Sequence, residues 1–230
     1  MSRHASAVTP VIKNLSTRLS ILASWLSIDS CLIDIGCDHA WLPIWALSHG
    51  KITRAIAVDK AKEPLALAKR HAADIEGISF VQRDGFANLK IPPQSTVSIA
   101  GMGGKSICEI LEQAPWENIQ TLLLQPNRDA HYVRQLLQQK GWGTSDAEVC
   151  KENDRYFLSW KATRSDNPWL GGRWHWEEGW FLEHPQEQWR AWLSQRLEQL
   201  LRIEEANPTV FLSAVNKEKL AIQSILIKNI

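Results

Sequence analysis

The stretch DIGCDHAWLP, Asp34–Pro43, decides how the rest of the chain is read. It follows the apolar run Cys31-Leu32-Ile33 and leads into IWALSHG, so a buried strand, a glycine turn and a helix are expected in succession. Such a succession is the usual frame for a nucleotide-type cofactor. Here the turn departs from the dinucleotide pattern, because Asp38 stands where a second glycine would let the backbone approach a pyrophosphate.

Working outward, strands and helices alternate to about residue 145. A first helix is expected over 11–27, then the strand CLIDIGC, a helix from Ala40 to His49, and the strand RAIAVDK. Pro64 suits the first turn of the next helix, whose buried face carries Leu65, Ala68 and Ala72. ISFVQRDGF reads as a third strand ending at Asp84-Gly85, and STVSIAGMGG as a fourth, followed by a helix with Ile107, Ile110 and Leu111 inward. TLLLQPN is the fifth, followed by a helix using Val133, Leu136 and Leu137. Near-continuous apolar strands joined by helices predict a parallel sheet covered on both faces, with right-handed crossovers.

EVCKEND and RYFLSWKAT then form two consecutive strands around a turn near Asp154, an antiparallel pair closing the sheet edge. Beyond Ser165 come glycine, proline and tryptophan, then two helical repeats separated by Asn207-Pro208. Trp189, Trp192, Leu193, Leu197, Leu200 and Leu201 mark one stripe; Leu212, Val215, Ile222 and Leu226 mark the other. The expected architecture is an α/β domain over 1–165 and a small helical hairpin over 166–230. Six of the twelve tryptophans fall between Trp169 and Trp192. Their positions suit the seam between hairpin and sheet, with base stacking as the alternative.

Composition narrows the class. No apolar run approaches the ~20 residues of a spanning helix, and the N-terminus lacks the layout of a signal peptide. The four cysteines include no CxxC pair, which argues against a disulfide framework or a zinc site. A cytoplasmic protein with reduced thiols, no metal and no membrane association is expected. A net charge of +1 neither demands nor excludes nucleic acid. Local basic clusters at Lys13 and Arg18, and from Lys51 to Arg70, are either solvated faces or phosphate-tracking patches.

In an open parallel sheet the ligand lies at the C-terminal strand ends, near the reversal of strand order. Those ends supply Asp34 to His39, Asp59, Asp84-Gly85, Ala100 to Gly104, and Gln125 to Asn127. Several carboxylates there would repel a pyrophosphate. They suit S-adenosylmethionine, which has no phosphate and offers a sulfonium, an ammonium, a ribose diol and an adenine amino group. Asp59 follows Gly36 by about 20 residues, the spacing of a ribose-binding acid; a helix cap is its alternative. Asp84 has a turn role as its alternative, and Asn127 an N-cap role.

The chain resembles the TrmK family of bacterial tRNA adenine-22 N1-methyltransferases. DIGCDHAWLP is similar to that family's DIGSDHAYLP, with Cys37 for serine and Trp41 for tyrosine. LSTRL (Leu15–Leu19), RDG (Arg83–Gly85), IAGMGG (Ile99–Gly104), LQPN (Leu124–Asn127) and KENDRYF (Lys151–Phe157) match in the family's order. The resemblance implies a Rossmann-like class I methyltransferase sheet with a coiled-coil-like C-terminal domain, S-adenosylmethionine as cofactor and tRNA as partner. Implied cofactor contacts are Arg18, Asp34, Gly36, Asp38, His39, Asp59, Lys60, Asp84, Gly85, Gly101, Met102 and Gly103. Asp38, Met102 and Asn127 are the implied catalytic positions.

Two roles are open to Asp38: stabilising charge on the adenine ring, or binding the cofactor's amino-acid end. Met102 is expected to pack on adenine, and Gln125 and Asn127 to read a base edge. His39 is expected to hydrogen-bond within its loop, and Arg18 to meet the cofactor carboxylate or an RNA phosphate. A methyltransferase for another RNA or a small molecule, and a non-catalytic cofactor-binding protein with a partner-docking hairpin, are the competing readings.

Overall fold

Alternate residues of the central strands bury on opposite faces. Cys31, Ile33 and Ile35 enter one apolar cluster, while Leu32 between them enters another. Leu122 and Leu124 against Leu123 repeat the pattern. A sheet buried on both faces needs helices on both, and the computed structural model, which describes residues 14–164, 187–206 and 213–228, has them.

The elements run α1 (Thr17–Ser24), β1 (Cys31–Ile35), α2 (Trp41–Ser48), β2 (Arg54–Asp59), α3 (Lys62–His71), β3 (Ile78–Gln82), β4 (Ser95–Gly103) and α4 (Gly104–Glu112). Then follow β5 (Ile119–Arg128), α5 (Ala130–Gln139), β6 (Trp142–Glu152), β7 (Arg155–Arg164), α6 (Glu187–Ala206) and α7 (Ser213–Lys228). The seven strands order as β3-β2-β1-β4-β5-β7-β6. The first five are parallel and the last two antiparallel. Strand order reverses between β1 and β4, which places the ligand crevice at their C-terminal ends.

Several local expectations shift. The first helix is shorter than 11–27: Ser16 caps it, accepting from the Leu19 N–H at 3.5 Å, and Trp25 closes it. The third strand stops at Gln82, so Arg83-Asp84-Gly85 forms a turn rather than a strand end. The β6 strand starts earlier than expected, at Trp142, with a register shift between Thr144 and Asp146. In α3, Leu65 and Ala68 are buried as the apolar spacing predicts.

The α6 and α7 helices share the sheet's core. Trp189, Trp192, Leu193, Leu200 and Ile222 sit in the same buried cluster as Val149, Leu158 and Trp160. This is the seam role expected of the C-terminal tryptophans, seen for Trp189 and Trp192. Leu201, placed on the buried stripe by spacing alone, is 38% exposed. Arg196 of α6 holds Glu218 of α7 through two hydrogen bonds of 2.9 and 3.0 Å. The expected boundary near 165, Lys13, the tryptophans from Trp169 to Trp180, Asn207-Pro208 and Leu212 lie outside the described residues.

Candidate functional site

The β1–α2 turn is built around Asp59. The Gly36 and Cys37 N–H groups both donate to the Val58 carbonyl, at 2.8 and 3.0 Å, which folds the turn over the end of β2. Asp59 then accepts the Asp38 N–H at 2.9 Å on one oxygen and the Ala61 N–H at 2.8 Å on the other. Asp38 adopts φ 50°, and its side chain is 65% exposed at the crevice mouth. An ionised carboxylate offers about four lone-pair sites, so Asp59 keeps acceptor capacity after anchoring both backbone groups.

Gly36 has two reasons to be glycine. Its φ is +70°, and a Cβ there would lie 1.9 Å from the Met102 methyl group. Met102 reaches it because the β4–β5 pairing shifts register between Ala100 and Met102 and again at Gly103. A bulge beside a site re-aims a side chain. Met102 therefore packs on the glycine turn.

Gly36 and Met102 both line two adjoining chambers. The larger, about 690 Å³, has Arg18, Asp34, Asp38, Trp41, Gly101 and Gln125 among its walls. The smaller, about 510 Å³, includes Asp59, Lys60, Asp84, Gly85, Gly103 and Glu109. Asp34 is the buried acid of the larger chamber. Its hydrogen-bond donor is the neutral Ser98 hydroxyl, at 2.5 Å. Burial pushes its carboxyl up to about 6; the Ser98 bond opposes this, and the Asp59 charge adds to it. Burial, reinforced by the charges of Asp34, Asp59 and Asp38, also raises the Cys37 thiol, so it is not primed as a nucleophile.

Most of the expected site residues meet here, with three departures. His39 lines neither chamber: its ring lies behind the wall, 5.9 Å from Trp41 and 6.4 Å from His71. Its Nε2 is 3.7 Å from the Asp38 carboxylate and its buried Nδ1 has no partner, so the expected loop hydrogen bond is not formed. Arg18 is not a free helix charge: it pairs with Glu152 at 3.1 Å while lining the larger chamber. Asn127 does not cap α5, whose N-cap is Asp129. Its amide is bonded to Gly101 and Gln125, so the pair braces the loop.

Sequence reasoning missed Glu152, whose sequence signal was its place in KENDRYF. It also missed Ser106, Glu109, Ile110 and Gln113 as site residues; they line the smaller chamber at helical spacing along α4 and its C-cap. Gly104 was placed at its strand end, but its packing role was not: a Cβ there would lie 2.1 Å from the Asp129 carbonyl oxygen, so glycine lets the β5–α5 loop close over α4.

A sheet of this order, with a glycine turn and acids at the switch point and an antiparallel edge pair, defines a Rossmann-like methyltransferase fold. A family model described as "Methyltransferase domain" matches residues 15–158, more than half of the chain, and the chain belongs to that family. It is 32% identical over 148 residues to the tRNA (adenine(22)-N(1))-methyltransferase of Bacillus subtilis, covering 62% of each chain. The chain thus spans less than two thirds of that relative's length. Among solved structures, a putative tRNA (m1A22) methyltransferase of Streptococcus pneumoniae, in complex with S-adenosyl-L-methionine, is 25% identical with a TM-score of 0.75. That likeness covers 93% of this chain and 100% of the other. The B. subtilis m1A22 tRNA methyltransferase TrmK shares the fold at 24% identity and a TM-score of 0.73, with 93% and 96% covered. The resemblance to the TrmK family is borne out.

Proposed function

We propose that this chain transfers a methyl group from S-adenosylmethionine to N1 of an adenine in tRNA. The observation that carries the reading is the acidic, two-chambered crevice pinched at Gly36 and Met102, with Asp34 and Asp38 on one side and Asp59 and Asp84 on the other. Its donor set fits the cofactor. The free acceptor sites of Asp59 suit a ribose diol. Asp34, buried against a neutral hydroxyl, suits a cationic amino-acid end. The B. subtilis relative, which carries that activity in its name, supports the target base.

The cofactor supplies an electrophilic methyl group on a sulfonium. The chain's part is to align the acceptor with it and to exclude water. Adenine N1 is an in-plane lone pair tied up in pairing or stacking, so the base has to be turned out of the RNA. The larger chamber, at about 690 Å³, has room for it. Asp38, exposed at the mouth, is placed to accept from the exocyclic amine or to stabilise the positive charge that N1-methylation leaves on the ring. We place the α6 and α7 helices, which share the sheet's core, as an extension of the RNA-facing surface.

The test is incubation with methyl-labelled S-adenosylmethionine and unmodified tRNA, followed by nucleoside analysis. Label in 1-methyladenosine is expected. Label in another nucleoside overturns the target assignment, and cofactor binding with no transfer overturns the catalytic reading.

A further inference from the structure

Three segments distant in sequence, α1, the end of β5 and the β6–β7 hairpin, meet at one guanidinium. Arg18, in α1, donates from Nε to Glu152 Oε1 at 3.2 Å, and its own backbone N–H reaches the other Glu152 oxygen at 3.4 Å. Its guanidinium lies 4.5 Å from the centre of the Phe157 ring. The remaining arm, Nη1, donates to Gln125 Oε1 at 3.2 Å and to Asn127 Oδ1 at 3.4 Å.

Those two amides pass the restraint inward. Gln125 Oε1 also accepts the Gly101 N–H at 3.1 Å, and Gln125 Nε2 donates to Asn127 Oδ1 at 3.1 Å. Asn127 Nδ2 donates to the Gly101 carbonyl at 2.6 Å. Both peptide groups flanking the Gly101 Cα are therefore held. Gly101 has φ +76° and open space where a Cβ would be, so nothing steric fixes it. The next residue is Met102, the side chain at the waist of the crevice.

We propose that Arg18 is a positioning residue for methyl transfer. Through Gln125 and Asn127 it fixes the Gly101 turn and thus Met102, and its pairing with Glu152 couples the docking of α1 to the geometry of the acceptor chamber. This rests on the function proposed above. A planar guanidinium is needed because one group must satisfy a carboxylate and two amides at once; a lysine ammonium has no such fork. Without it the amides rotate, the glycine relaxes, and a displacement on the order of 1 Å at the reacting centre costs about 100-fold in rate.

The test uses the full chain with Arg18→Ala, Arg18→Lys and Glu152→Gln. For Arg18→Ala, kcat for tRNA methylation is expected to fall about 10- to 100-fold while the S-adenosylmethionine dissociation constant stays within about threefold. Guanidinium ion added to Arg18→Ala should restore part of kcat, and Arg18→Lys should not substitute for arginine. In all three variants the Gly101 amide should exchange with solvent about tenfold faster than in the parent. Unchanged kcat with unchanged Gly101 exchange overturns the proposal. So does a loss of cofactor affinity as large as the loss of kcat, which would make Arg18 a cofactor ligand. If the parent chain methylates no tRNA, the function proposed above fails, and Gly101 exchange alone decides the role of Arg18. Should Arg18→Ala fail to fold, the near-isosteric Glu152→Gln carries the same readouts.

Discussion

The affinity of this site for S-adenosylmethionine should depend on pH through Asp34. Its carboxyl is buried, bonded to the Ser98 hydroxyl and raised to about 6, so a protonated, neutral form competes with cation binding just below neutrality. If only the ionised form binds, affinity at pH 7 is within about 10% of its limit and at pH 5 is about tenfold weaker. Folding stability moves the other way. Below a pH of about 4 the carboxyl is protonated in both folded and unfolded chains. As pH rises toward 6 the unfolded chain loses its proton first, so stability falls by roughly 3 kcal/mol and stays lower above that pH. Calorimetric titration between pH 5 and 7 on the parent and on Asp34→Asn separates the effects. The parent should weaken on acidification, and Asp34→Asn should bind weakly with a flat profile. A flat profile in the parent, or tighter binding at pH 5, would refute the assignment of Asp34 to the cationic end.

Asp59→Ala removes the acceptor of the Asp38 and Ala61 N–H groups as well as the ribose contact. Cofactor affinity should drop by at least about 30-fold, read by calorimetry, for two lost hydrogen bonds to a charged group. Gly36→Ala combines left-handed backbone strain of about 1–2 kcal/mol with displacement of Met102, so stability should fall by about 2 kcal/mol in urea unfolding. Methyl transfer should fall further than that loss explains. Arg196→Met leaves the buried Glu218 carboxylate with His131 at 3.7 Å in place of its two strong hydrogen bonds and should cost about 3–5 kcal/mol, whereas Arg196→Met combined with Glu218→Leu should recover most of it.

What the sequence made legible was local. Apolar runs bounded by glycine and proline located the five parallel strands, and two consecutive strands with no helix between them announced the antiparallel pair. The acids at strand ends marked the crevice because chain direction alone fixes which end of each strand they occupy. What it hid depends on register. Arg18 and Glu152 lie 134 residues apart and meet only through the placement of α1 against the β6–β7 turn. Met102 reaches Gly36 through a bulge that a glycine-rich run does not locate by itself. The start of β6 was masked by the polar stretch Thr144 to Asp146, where the register shift interrupts the apolar alternation. Leu201 fits the helical stripe but lies at its margin, so spacing could not say that it stays exposed.

A paired equilibrium titration probes the acidic crevice most directly: the chain at pH 7 against S-adenosylmethionine and, separately, against a nicotinamide dinucleotide. Saturable one-to-one binding of the sulfonium, weakened by Asp59→Ala, with no measurable uptake of the dinucleotide, is the predicted outcome. Saturable dinucleotide binding that S-adenosylmethionine fails to displace would contradict the account.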